Sequence, residues 1–148
     1  MPRASRIARI ACADSIARVP AADFVHREPV RFGDLDALGH VNNAVFLTYI
    51  ESARIAFLFD AGAATSLEDM SIIVARIEID FRAPVRFGRD VEIAVRATRF
   101  GDKSFDLEYV LRVDGEVVAE AKSVLVAYDY AKRQTMPVPD EWREKLAA

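Results

Sequence analysis

The sequence predicts an α+β protein: one curved antiparallel sheet of five strands wrapped around a single long, apolar helix. Three observations carry this. A stretch from Asn43 to about Asp60 is apolar nearly all round, which places a helix inside a core rather than on a surface. Downstream segments alternate apolar and polar residues with period two, the pattern of strands buried on one side. Turn signals (Pro84, Gly88, Gly101-Asp102, Asp114-Gly115) punctuate them at hairpin spacing. A sheet apolar on its inner face and a helix needing cover satisfy each other in one layered domain.

Taken in order, residues 1–22 stand apart from the rest. They hold Arg3, Arg6, Arg9 and Arg18 against one acid, Asp14. An Arg-rich, acid-poor leader suggests organelle targeting; a frayed arm or a start codon placed too early are the plainer readings. The segment is expected to lie outside the domain, which then spans 23–148. His26 to Phe32 reads as the first strand, and Pro29 within it points to an edge position or a slightly later start. The helix follows, with Gly62 as its C-terminal stop. From Ser71 to Arg82 the apolar set falls on Ile73, Ala75, Ile77, Ile79 and Phe81, predicting that these odd positions face inward. Val91, Ile93, Val95 and Ala97 mark the next strand, and Phe105, Leu107, Tyr109, Leu111 and Val113 the one after. Glu116 to about Asp129 is the last long strand, and a short helix begins near Asp140.

Composition narrows the function. The 148 residues suit one domain with a real core, and 52% of them are apolar. A net charge of −3 gives no electrostatic footprint for nucleic acid. No apolar run approaches the roughly 20 residues that span a bilayer. One cysteine, Cys12, excludes an intramolecular disulfide framework, and with only two histidines there is no credible zinc constellation. The expected setting is cytoplasmic, with no zinc site.

Chemistry concentrates between Arg31 and Asn43, where a strand end meets the helix start. This stretch holds Asp34, Asp36, Gly39, His40, Asn42 and Asn43. A helix N-terminus offers free N–H groups and partial positive charge, able to hold a developing oxyanion. Asp36, just upstream, can supply a nucleophile or a base; a plain turn residue before a helix is the competing reading. Asp34, at the strand end, reads as structural. His40 can orient substrate or share a proton with Asp36; a satisfied buried histidine is the competing reading. Asn42 and Asn43 are good N-cap residues, compatible with functional use of the Asn43 N–H. Glu51 and Arg54 interrupt the apolar helix at pairing distance, though a polar residue there can also line a site. Arg82, Arg86 and Arg89, with Arg99 and Lys103, cluster at strand ends and can hold a phosphorylated tail; plain surface solvation is the alternative. The segment beginning at Asp34 is no calcium loop, since its fifth position is Leu38 and its twelfth is Val45. Neither a phosphate loop, a dinucleotide fingerprint nor a nucleophile elbow is present.

Asp34-Leu-Asp-Ala-Leu-Gly-His-Val-Asn-Asn43, followed by Phe46-Leu-x-Tyr49-x-Glu51-x-Ala-Arg54, resembles the hotdog-fold acyl-CoA thioesterases of the 4-hydroxybenzoyl-CoA thioesterase type. Ile79-Asp-Phe-Arg-Ala-Pro-Val-Arg-Phe-Gly88 is similar to that family's second strand and following turn, so the likeness runs over roughly residues 24 to 130. The resemblance implies hydrolysis of an acyl-CoA or acyl carrier protein thioester by a homodimer or homotetramer, with no metal or organic cofactor. It places Asp36 at the catalytic carboxylate and the Asn43 N–H at the amide that polarises the carbonyl. Plant-type acyl-carrier-protein thioesterases use Asp, Asn and His in a similar stretch. Here the Asn position is Leu38, which favours an Asp-plus-amide scheme and leaves His40 secondary. Asn42, Phe46, Glu51, Arg82, Arg86 and Arg89 are the expected substrate contacts. Two alternatives stay open: a hydratase or dehydratase on acyl thioesters, and a non-catalytic acyl-CoA-binding module.

Overall fold

The structure, a computed structural model, describes residues 24–147; the expectations for residues 1–22 lie outside them. Its elements are strand β1 (Phe24–Pro29), helix α1 (Asn43–Asp60), strands β2 (Ile72–Phe81), β3 (Asp90–Phe100), β4 (Ser104–Val113), β5 (Glu116–Asp129) and β6 (Gln134–Thr135), then helix α2 (Asp140–Leu146). The strands form one antiparallel sheet in the order β1-β3-β4-β5-β2, with two-residue β6 added to the end of β5. This is the architecture expected, with β6 as a small addition.

Inner-face positions follow the alternation closely in the middle of the sheet. Val91, Ile93 and Val95 of β3, and Phe105, Leu107, Tyr109 and Leu111 of β4, are buried. Against them α1 lays Phe46, Tyr49, Ile50, Ala53 and Phe57, a stripe at helical spacing. Phe24 of β1 packs on Phe57, ring centroids 5.5 Å apart. The β4–β5 turn is a two-residue hairpin in which Asp114 and Gly115 both take positive φ, 50° and 83°, as the sequence signal requires.

Three expectations need correction. The first strand begins at Phe24 and ends at Pro29, because Phe32–Asp34 turns into a short 3-10 helix. Pro29 does sit on an edge strand, where its missing N–H costs no ladder bond. In β2 the odd positions do not all face inward. A bulge between Val74 and Arg76 shifts the register, so Ile72 and Val74 point inward before it and Ile77 and Ile79 after it. Ile73 is left facing solvent. Finally, the sheet covers only one side of α1. Ala44, Leu47, Thr48, Glu51 and Phe59 are exposed, since five strands curve over the helix without closing around it.

Candidate active site

The chain leaving β1 makes a small hairpin before entering α1. Leu35 pairs with Val41 across it, and the Asp34 carbonyl accepts the Asn42 N–H at 2.8 Å. The Asp36 N–H donates to the His40 carbonyl at 2.8 Å, and Gly39, at φ 76°, turns the tip. That left-handed conformation suits glycine and would strain a residue carrying a Cβ. The Val41 N–H donates to the Val85 carbonyl at 2.8 Å, and His40 pairs with Arg86, so the β2–β3 connection braces the outer side.

The structure brings Asp36, His40, Asn42 and Asn43 together on this hairpin and the helix start. Asp36 is half-buried, and its Oδ1 accepts the N–H groups of Leu38 (2.9 Å) and His40 (3.3 Å). Its Oδ2 takes no hydrogen bond among the described residues. Asn42 caps α1: its side chain accepts the Ala44 N–H at 2.9 Å, and its carbonyl accepts that of Val45, also at 2.9 Å. Both caps fall beyond Asn43, which is exposed and whose N–H points out of the helix end as an unused donor among the described residues.

Asp34 is only 7% exposed. Its Oδ2 accepts the Tyr49 hydroxyl at 2.6 Å, the Arg31 N–H at 2.9 Å and the Arg31 Nε at 3.3 Å. Burial by itself would raise this carboxyl's pKa; the bonds from Tyr49 and Arg31 outweigh burial and hold it below the usual range. Burial, and then donation to Asp34, push the Tyr49 phenol well above its ordinary value. Asp34 is structural, as the sequence suggested, but its partner fifteen residues along the chain was not foreseeable from any local rule.

The remaining candidates scatter. Phe46 is buried, packed on Phe81 with centroids 5.2 Å apart, and is part of the core. Glu51 lies on the open face of α1, 3.6 Å from Arg54, the pairing its spacing suggested. Arg82 is bonded to Glu120 at 2.9 Å and Arg89 to Asp114 at 3.0 Å. Arg86 is exposed and joins no ion pair among the described residues. A cleft of about 390 Å³ runs along the β2–β3 connection, lined by Pro84, Val85, Arg86 and Arg89 and by the β4–β5 turn. Sequence reasoning also passed over Phe32 and Phe87, exposed aromatics that meet edge-on at 6.1 Å. One precedes Asp34 and the other follows Arg86, so both flank the hairpin. Phe32 was read as the end of the first strand and Phe87 lay in a connection, so neither was singled out.

A curved antiparallel sheet folded over one long helix, with a carboxylate-bearing hairpin at the helix start, is a hotdog protein. Residues 30–146 match the Thioesterase-like superfamily, and the chain belongs to it. It is 31% identical over 121 residues to the long-chain acyl-CoA thioesterase FadM of Escherichia coli, covering 79% of this chain and 92% of that one. It is 29% identical over 130 residues to a 1,4-dihydroxy-2-naphthoyl-CoA hydrolase of Synechococcus elongatus, covering 84% and 96%. Among solved structures, a thioesterase from Thermus thermophilus complexed with coenzyme A and zinc superposes with a TM-score of 0.76. The two are 39% identical, over 82% of this chain and 90% of that one. Among the described residues no group of three or more His, Cys, Asp or Glu is placed to hold a metal ion. No helix among them is long and apolar enough to cross a membrane.

Proposed function

We propose that the chain hydrolyses acyl-CoA thioesters, with Asp36 as nucleophile or general base and the Asn43 N–H as donor to the thioester carbonyl. The observation that carries this is the hairpin itself. It holds a carboxylate with one unengaged oxygen beside an exposed helix-start amide.

In the base form, Asp36 takes a proton from water as that water's oxygen bonds to the carbonyl carbon. The electron pair moves to the carbonyl oxygen, where the Asn43 N–H and the helix's partial positive charge hold it. Collapse breaks the C–S bond, and the thiol leaves with the proton. In the nucleophilic form, the Asp36 oxygen itself displaces the thiolate, and water then cleaves the mixed anhydride. His40 adjoins both routes through its backbone, and its ring serves as an orienting group. Coenzyme A is the thiol carrier that the relatives' names favour; an acyl carrier protein is the alternative. Arg86, exposed and unpaired among the described residues beside His40, is the first choice for the phosphates. The surface pairs of Arg82 and Arg89 are weak enough for a phosphate to displace.

A second copy of the chain completes this reading. The exposed, largely apolar side of α1 and the unpaired edge of β2 both need cover, and one homodimer can supply it for both. The test of the whole proposal is coenzyme A release from a panel of aliphatic and aromatic acyl-CoAs, by wild type and Asp36→Asn side by side. A fall of about a hundredfold or more in the variant is expected. Equal turnover by both proteins overturns the assignment of Asp36.

A further inference from the structure

Asp34 and Tyr49 lie outside the reacting groups, yet Asp34 ties the hairpin to the helix at two levels. Its backbone carbonyl holds the Asn42 N–H, at the cap of α1. Its side chain holds the Tyr49 hydroxyl at 2.6 Å, two helical turns below that cap. Residues 42 and 49 are seven apart, so they share one face of the helix, and a helical side chain leans back toward the N-terminus. The Tyr49 ring therefore runs up the buried face and meets Asp34 directly beneath the hairpin. Tyr49 is wholly buried, and Asp34 nearly so. By contrast, both bonds made by the Asp36 carboxylate lie within the hairpin and tie it to nothing else.

We infer that Asp34 and Tyr49 are positioning residues for the reaction, fixing the hairpin that carries Asp36 against the helix start that carries the Asn43 amide. This rests on the reading of Asp36 and Asn43 given above. The hydroxyl of Tyr49 sets how far the hairpin sits from the helix axis, while the backbone bonds set only its register. Without the hydroxyl the hairpin keeps its own pairing and the contact of Val41 with Val85, so the site survives but its two halves lose their common reference. A displacement of about 1 Å between reacting groups can cost as much as a hundredfold in rate.

The test uses the full chain with Tyr49→Phe, which removes one oxygen and keeps the ring. The expected result is a fall of about tenfold in kcat with KM within about twofold of wild type, because misalignment affects the reacting geometry rather than substrate capture. The same substitution is then made in Asp36→Asn, followed in single turnovers with enzyme in excess. If Tyr49 acts through Asp36, the double variant is no slower than Asp36→Asn alone. Hydrogen exchange gives a readout without turnover: amides 36–43 exchange faster in Tyr49→Phe, while those of β4 and β5 keep wild-type protection. Should Tyr49→Phe fail to fold, Asp34→Asn carries the same three measurements.

Wild-type kcat in Tyr49→Phe overturns the inference alone. So does a loss that recurs undiminished in the Asp36→Asn background, which marks a general structural defect. Full activity in Asp36→Asn by itself overturns the parent reading and the inference with it, and that result comes from a different variant.

Discussion

Beneath the first turns of α1, Asp34 is buried with three donors around one oxygen; further along the same helix, Arg54 is buried with no hydrogen-bond partner for Nη1 among the described residues. Arg54 faces the Tyr109–Ser123 pair, whose hydroxyls meet at 2.7 Å, and its one carboxylate contact among the described residues is Glu51 at 3.6 Å. Glu51 is itself mostly in solvent. Burial raises the Tyr109 phenol's pKa, with the bond to Ser123 and the nearby Arg54 charge pulling the other way. The carboxylate is thus a fastening, since its removal leaves a buried hydroxyl and an amide without their acceptor. The guanidinium is held more loosely, with Glu51 at 3.6 Å, the Tyr109 hydroxyl nearby and Nη1 left without a partner among the described residues. Buried charge stabilises only where the chain assembles its partners around it.

Three experiments sharpen or break this contrast. The largest effect is expected from Asp34→Ala, which should lower unfolding free energy by about 3 kcal/mol in urea denaturation. That is the low end for breaking a buried charged network, because Arg31 can return to water. A loss below about 1 kcal/mol would show that the hairpin is fastened by its backbone alone.

A smaller effect should appear with pH. The Asp34 carboxyl has a lower pKa folded than unfolded, so its stabilisation is full above the unfolded value of about 4 and is lost as pH falls through the folded value. Asp106 behaves alike, held down first by its bond to Arg99 and further by Lys122. In acid titrations followed by circular dichroism, Asp34→Asn should show a shallower loss of stability below about pH 4 than wild type, with the Asp106 contribution remaining. Identical acid limbs would remove Asp34 from the linkage.

The smallest effect is expected at Arg54→Met, which keeps much of the length of the side chain and discards the charge. Its stability should lie within about 1 kcal/mol of wild type, as for other buried charges replaced by apolar residues. A loss near that of Asp34→Ala would show that Arg54 has a strong partner in the assembled protein.

The central strands were legible because Ile93, Val95, Leu107 and Leu111 obey period two, and the register shifts in these strands fall at their ends, after Ala97 and after Leu111. The phase of β2 was not, because the bulge at Ala75 is fixed by its pairing with β5, fifty residues away. Likewise Asp106 sits on the outer, polar face, yet Arg99 and Lys122 close over it and leave it 2% exposed. At the site, the local grammar of carboxylate, glycine and helix cap was readable in one stretch. The fates of Arg82 and Arg89 depend on Glu120 and Asp114, brought near only by the sheet. Alternation reveals which face a residue takes, but not which distant charge awaits it there.

The strand order has a consequence for how the molecule comes into being. β3, β4 and β5 are joined by tight turns and pair in sequence, so their loops close at little entropic cost. β2 must cross from one flank to find β5, and β1 must wait for β3, made more than sixty residues after it. A chain emerging from the ribosome therefore produces the hairpin bearing Asp36 early but cannot seat it until the meander exists. That hairpin is made among the first elements and docked only after later ones exist.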